Sequence, residues 1–477
     1  MNIGNKILIG IFVIILLPLF VSCAVNPVTG ERELMLVSEE QELDIGKDSA
    51  PSLQWEFGGY YSDRPLESYL ESIVKELWQN SERPYLPFKF HIQNTSLPNA
   101  FALPGYVAIT RGLLSDMENE AQFAAVVGHE IGHVMARHTA QRISRLTLQQ
   151  LGLAIGSVAL EGKGGSDALL TVGAIGSSLL LLSYDREQEI QADRLGVKYM
   201  ARLGYDAHEA IGAHKVLEKS VDDYLKRMGK SRSEDNFVTE MLSTHPRAEV
   251  RISEIQSMIN ELPPYSIKDD GKFAGRFLDE TERVREINKV YYIYDEAENY
   301  YQKEDFDAAE ESLKKAIKLD ALQPSFYNLM GFIKLRQKDY PEAEKSFRKA
   351  LSVETGHQPS YYGLGLVNYY RENYRQAVEE FKKSLDLFPN HAQTHLGLGK
   401  SHFHLKRYRE AVPHLKNFSE AAPKHPEVHG LLGICYDKTG DVRTAVSEYR
   451  YQLQIAPDTE LGRHARKRLA ELAPTLN

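Results

Sequence analysis

"AAVVGHEIGHVMARH", Ala124 to His138, sets three histidines and one glutamate into a run that otherwise has the composition of a buried helix. On a helix His129 and His133 are one turn apart, with backbones about 6 Å from each other on one face, so both imidazoles can reach a single ion. Glu130 is rotated from His129 by about 100°, which places it beside the ion and suits a general base acting on water. His138, projected along the same helix, falls on nearly the opposite side from His129 and is set aside. A catalytic zinc wants a third protein ligand and one open position. The candidate lies in "SYDREQEIQADRLG", Ser183 to Gly196, where Glu189 and Asp193 are again one helical turn apart. Glu189 would complete two histidines and a carboxylate, and Asp193 would accept the outer N–H of a ligand histidine. Glu187 points to another face and reads as a solvated charge.

Around this pair of helices the chain has 477 residues, room for two or three domains, and a formal charge of -9 without long single-sign blocks. No nucleic-acid surface is indicated. The two cysteines, Cys23 and Cys435, are too few and too far apart for a disulfide framework, and Cys435 reads as a small core residue. The first residues, "MNIGNKILIGIFVIILLPLFVSC", have a short start with one lysine, Lys6, an apolar run from Ile7 to Val21 broken by Pro18, then a small residue and Cys23. This is the layout of a secretory signal over residues 1–22, and "FVSC" resembles a lipobox with Cys23 as the lipidated residue. An uncleaved anchor and plain secretion are the alternatives. Ala24 after the cysteine is the choice associated with passage to a Gram-negative outer membrane, so the expected location is the periplasm, with Cys23 attached to that membrane.

From residue 290 the sequence repeats. Small residues stand at Ala297, Gly331, Gly365, Gly399 and Gly433, each 34 after the last (331 minus 297, and so on), and Ala309, Ala343, Ala377, Ala411 and Ala445 keep the same step. Aromatics follow at Phe306, Tyr340, Tyr374 and Tyr408, and prolines close units at Pro389, Pro423 and Pro457. The pattern resembles the tetratricopeptide repeat in five units over residues 290–459, with 460–477 as a capping helix. Each unit is a helical hairpin that cannot bury its own face, so the units must stack. Between the halves "NELPPYSIKDDGKFAGRFLDE" has paired prolines, glycines and charge, and residues 262–289 are expected to be a linker.

HExxH followed by R-x-x-E-x-x-A-D, here Arg186 to Asp193, resembles the peptidases related to the CAAX prenyl proteases and HtpX, and "NAFALPGYVAITRGLL" and "STHPRAEVRI" agree with that family. With "CAVNPVTGERELMLVSEEQE" at the start and repeats at the end, the whole resembles the BepA type of periplasmic protease, which assists outer-membrane protein assembly. Asp185 stands where relatives commonly have Ser, and Tyr106 where many have a second glycine. The resemblance implies a mainly α protein: an α+β peptidase domain over residues 23–261, with the HExxH helix and a small sheet, followed by the all-α repeat solenoid. It implies one Zn²⁺ per chain on His129, His133 and Glu189. Asn99, Ala100, Phe101 and Ala102 would form a strand that receives extended substrate. His245 and Arg251 would lie near the ion, steadying the oxyanion; His245 has a second reading, as a fourth ligand that holds the enzyme off. Substrates would be unfolded or misassembled outer-membrane proteins, and the repeats would bind them or the assembly machinery. A chaperone or scaffold with a latent peptidase site is the competing reading. The apolar runs within 151–183 are expected in a soluble core, with a lid over the cleft as the alternative.

Overall fold

A computed structural model describes residues 23–161, 184–231 and 248–472. The chain divides into two compact units, residues 1–295 and 296–477. The signal segment, His245 and the second apolar run lie outside the described residues. Among those described, no helix is long and apolar enough to cross a membrane.

The first unit begins with a short antiparallel hairpin, β1 (Cys23–Val25) on β2 (Arg32–Leu34). Two helices follow, α1 (Glu39–Glu56) and α2 (Arg64–Gln79), each with a side-chain N-cap, Ser38 and Asp63. Leu66, Leu70, Val74, Leu77 and Trp78 form the buried face of α2 at helical spacing. A three-stranded sheet comes next, in the order β3 (Lys89–Gln93), β5 (Tyr106–Thr110), β4 (Ala100–Leu103). β3 runs parallel to β5 and β4 antiparallel to it. Pro104 and Gly105 join β4 to β5, and Gly105 takes φ +85°, the proline-then-glycine order that a type II turn demands. Among the described strands β4 has a neighbour on one side only, so it is a sheet edge.

After the short α3 (Arg111–Asp116), the quoted stretch forms α4 (Glu120–Met135), capped by the Asn119 side chain and buried on nearly every face. It then gives way to α5 (His138–Glu161), whose far end carries the first of the two apolar runs. The helix most extensively packed on α4 is α6 (Arg186–Leu203). Asp185 caps α6 through a capping box with Gln188, the service a serine would perform at that position. Helices α7 (Glu209–Arg227) and α8 (Ala248–Asn260) complete the surround of the site.

The expected linker is in large part helical. Residues from Ala274 onward form α9 (Ala274–Glu280) and α10 (Glu282–Gln302), with Phe277 and Val284 wholly buried in the core of the first unit. Arg276 pairs with the buried Glu120, and Arg285 donates to the carbonyls of Ser115 and Met117. Apolar residues spaced along 273–291 supply the packing face, which the Pro- and Gly-rich residues just before them obscure in the sequence. The first unit therefore extends to Asp295, past the boundaries expected at 261 and 289.

In the second unit helices alternate in antiparallel pairs through α11 (Phe306–Leu319), α12 (Pro324–Arg336), α13 (Tyr340–Val353), α14 (Gln358–Tyr370), α15 (Tyr374–Leu387), α16 (Ala392–His404), α17 (Tyr408–Ala421), α18 (Val428–Thr439) and α19 (Val442–Ile455), closed by α20 (Glu460–Leu472). The small-residue series has a steric cause. A methyl on Gly331 or Gly363 would lie 2.6 or 2.3 Å from the Phe347 ring, and one on Gly365 or Gly397 would be 2.4 or 2.5 Å from Phe381. Each of these rings is thus clasped between glycines of two successive units. Successive units are also pinned by a polar contact: Tyr327, Tyr361, His395 and His429 donate to the carbonyls of Ala321, Thr355, Pro389 and Pro423 over 2.8–3.1 Å. The turn within each pair passes through one left-handed residue, at Glu304, Lys338, Glu372, Lys406 and Gly440. Cys435 is fully buried, as a core residue should be.

Candidate metal centre

Close approach of α4 and α6 builds the centre. Gly128 and Gly132 on α4 face Ala192 and Gly196 on α6, and a methyl on Gly132 would sit 3.0 Å from the Ala192 carbonyl oxygen. With no side chains between them, the helices bring Glu189 against His129 and His133. His129 Nε2 lies 3.6 Å from Glu189 Oε2, His133 Nε2 lies 3.5 Å from Glu189 Oε1, and the two Nε2 atoms are 3.1 Å apart. A tetrahedral ion with ligand bonds of about 2.0–2.1 Å has donor-to-donor edges of about 3.4 Å, close to these separations, although each histidine approaches a different oxygen of Glu189. Among the described residues this is the one trio of His, Cys, Asp or Glu close enough to hold a metal.

The surrounding charge also fits. Glu130, Glu189 and Asp193 are all buried, with Arg251 beside them, so three formal negative charges meet one positive and leave -2 (-3 + 1) out of bulk water. A divalent cation neutralises that sum, whereas buried uncompensated charge is costly. Burial and the Arg251 guanidinium push His129 toward the neutral form, which is the form that ligates.

Outer contacts fix the ligands. Asp193 Oδ1 accepts from His129 Nδ1 at 2.8 Å, which leaves Nε2 for the metal. Burial alone would raise the Asp193 carboxyl, yet Arg251, His129 and His214 hold it well below its ordinary range. Arg251 donates from Nε to Asp193 Oδ2 at 2.9 Å and pairs through Nη1 with Glu189 Oε2 at 3.1 Å. It therefore orients two carboxylates of the centre, in addition to lining the pocket. Tyr184 stacks on the His133 ring with centroids 3.9 Å apart, and burial pushes its hydroxyl up to about 12.

The pocket over the centre, about 560 Å³ counted to its open mouth, is lined by His129, Glu130, Asp193, Arg251, Asn99 and Ala100 among others. Glu130 thus faces the same space as His129, and the start of the edge strand forms a wall of it. Phe101 and Ala102 continue that strand, paired with Ala108 and Val107. Phe101 turns into a second apolar cluster with Phe57 and Tyr106. Glu187 is exposed, as its position on the helix implies.

Two residues of the site escape sequence reasoning. His214, on α7, lines the pocket and lies 3.5 Å from Asp193 Oδ1. Nothing in its local sequence marks it, because it reaches the site from a different helix. His138, dismissed by projection along one helix, is in the site. The helix ends at Met135, and Arg137 takes φ +59°, which reverses the chain so that His138 Nδ1 lies 2.8 Å from His133 Nδ1. A left-handed residue with a side chain costs about 1–2 kcal/mol. Here Arg137 is held by its bonds to Glu42 Oε2 at 3.1 Å and to the Val37 carbonyl at 2.9 Å.

Comparison with known proteins agrees with this geometry. Residues 65–259 match the model of Peptidase family M48, and residues 294–359 match a tetratricopeptide repeat model. The chain is 30% identical over 240 residues to the mitochondrial metalloendopeptidase OMA1 of Schizosaccharomyces pombe, covering 49% of this chain and 66% of that one. It is 25% identical over 358 residues to the beta-barrel assembly-enhancing protease of Yersinia pestis, covering 65% of this chain and 70% of the relative. Both relatives extend beyond the matched stretch. Among solved structures, the tetratricopeptide protein YrrB, described with an unusual peptide-binding site, matches 40% of this chain and 96% of its own at 22% identity and a TM-score of 0.33. With two histidines and a glutamate gathered on helices inside the matched region, residues 65–259 form a metallopeptidase domain similar to peptidase family M48, joined in one chain to tetratricopeptide repeats.

Proposed function

We propose that the chain is a zinc-dependent endopeptidase of the bacterial envelope, acting on unfolded or misassembled outer-membrane proteins. The observation that carries the reading is that Glu130 and the Asn99–Ala100 end of the edge strand line one pocket with His129, itself a member of the His129, His133 and Glu189 trio. Two imidazoles and a carboxylate in a buried site are a donor set suited to zinc. Zinc bound there supplies Lewis acidity, polarising the scissile carbonyl and making water acidic near neutral pH.

The chain's own residues do the rest. Glu130 takes a proton from the attacking water and returns it to the leaving amine nitrogen. Asp193, charged through its contact with Arg251, keeps His129 in the tautomer that presents Nε2. The edge of β4 takes an extended peptide by main-chain hydrogen bonds, which require no particular side chains and suit a protease for non-native chains. His245 takes one of two parts, fourth ligand or oxyanion partner, and both need it to face the ion. The repeats recruit substrates or the outer-membrane assembly machinery, which the similarity to a beta-barrel assembly-enhancing protease supports; acylated Cys23 holds the protein to the membrane, a part that rests on the lipobox-like "FVSC".

Glu130→Gln in the full chain is the test. Cleavage of a casein-type substrate should fall by about 10²–10⁴-fold with zinc content unchanged, as expected for loss of a general base. Undiminished proteolysis with zinc bound would overturn the mechanism.

A further inference from the structure

The two ligand histidines are supported unequally. His129 has the carboxylate of Asp193 behind it, whereas His133 has a neutral side chain, and that side chain is the wholly buried His138. His138 Nε2 lies 2.8 Å from Gln191 Oε1, and an amide oxygen only accepts, so Nε2 carries the proton. Nδ1 of His138 is then left as an acceptor. Since it lies 2.8 Å from His133 Nδ1, that atom must carry the donated proton, and His133 Nε2 keeps its lone pair on the side of Glu189 and His129.

We infer that His138 is a positioning residue for the metal centre: by accepting from His133 Nδ1 while donating to Gln191, it selects the tautomer and ring orientation in which His133 ligates. The inference rests on the metal reading of His129, His133 and Glu189. Its geometry depends on the reversal at Arg137, since a continuous helix would carry His138 away from the ligand. Gln191 comes from α6, the helix that also provides Glu189 and Asp193, so one helix supplies the third ligand and a support for each of the other two. The neutral support adds no charge to a centre that a divalent ion already balances.

The test uses the full chain and its His138→Asn and His138→Leu variants. Zinc affinity is measured by competition with a chromophoric chelator, alongside zinc stoichiometry and thermal unfolding of the metal-free proteins. Asn places a carbonyl oxygen about where His Nδ1 stood, so it keeps the acceptor and loses the ring, while Leu keeps bulk and loses the acceptor. We expect the Leu variant to bind zinc about 10–100-fold more weakly, and the Asn variant to stay within about threefold of the native chain. Native-like affinity in the Leu variant would overturn the inference, as would equal losses in both, because volume rather than hydrogen bonding would then be at work. A native chain that takes up no zinc would remove the metal reading itself, a result distinguishable from either.

Discussion

A methyl group placed on Gly196 would lie 2.9 Å from the backbone nitrogen of His129. Because the obstacle is main chain, no side-chain adjustment relieves it, and α6 would have to retreat from α4. Gly196→Ala gains helix propensity, about 1 kcal/mol, and loses about 1–3 kcal/mol to overpacking, so its stability should fall by no more than about 2 kcal/mol. The centre should change more, since a displacement of about half an ångström is enough to spoil a ligand set. We expect zinc affinity to drop about tenfold or more in chelator competition, with a melting temperature only modestly below native; native affinity would count against the close approach as the builder of the site.

A second prediction concerns Asp295, buried beside Arg111 and Ser96. Burial, partly offset by Arg111, pushes its carboxyl up to about 6. In the unfolded chain an aspartate titrates near 3.9. Between these values the folded state holds a proton that the unfolded chain has released, so the contribution of this group to stability declines as pH rises from about 4 to 6, by about 3 kcal/mol in all. Asp295→Asn should erase that slope, with the variant similar to native near pH 4 and more stable at pH 7. Both tryptophans, Trp55 and Trp78, lie in the first unit, so urea unfolding followed by their fluorescence reports on it directly. A native-like pH slope in the variant would refute the assignment.

In the repeats, Phe347 fills the space between Gly331 and Gly363 and is wholly buried. Phe347→Ala should cost about 3–5 kcal/mol, because the glycines on either side have no atoms with which to close the gap. Circular dichroism should show the helical transition of the second unit at lower temperature, while zinc content stays as in the native chain. An unchanged melt would mean that the clasped ring is dispensable.

How much of this could be read from the sequence varied with the physics involved. The clustering of His129, His133 and Glu189 was legible because helical spacing and the chemistry of a metal site constrain the same residues. The hairpin repeats were legible because a glycine beside a ring must recur wherever the ring does. His138 was not, since a helical projection assumes that the helix continues, and the residue that ends it is an arginine with none of glycine's freedom. The same obstacle hides the turns within the repeats, where only the last of the five left-handed positions is glycine. The helices after residue 273 were missed for another reason: their apolar face matches the core of the first unit and has no partner within the segment itself. His214 belongs to the site through tertiary packing alone.

The pins from Tyr327, Tyr361, His395 and His429 each reach back to a carbonyl just ahead of their own helix, at the close of the preceding unit. Their donors and acceptors share one period, so the array can gain or lose length in whole units and keep every pin in register. An insertion of one or two residues between a pin and its carbonyl has no such freedom, and would detach everything beyond it from the units before. Gene duplication of a complete repeat is therefore the change in length that this half of the protein accommodates most readily, while the first unit, whose helices share one core without a repeating period, offers no comparable seam.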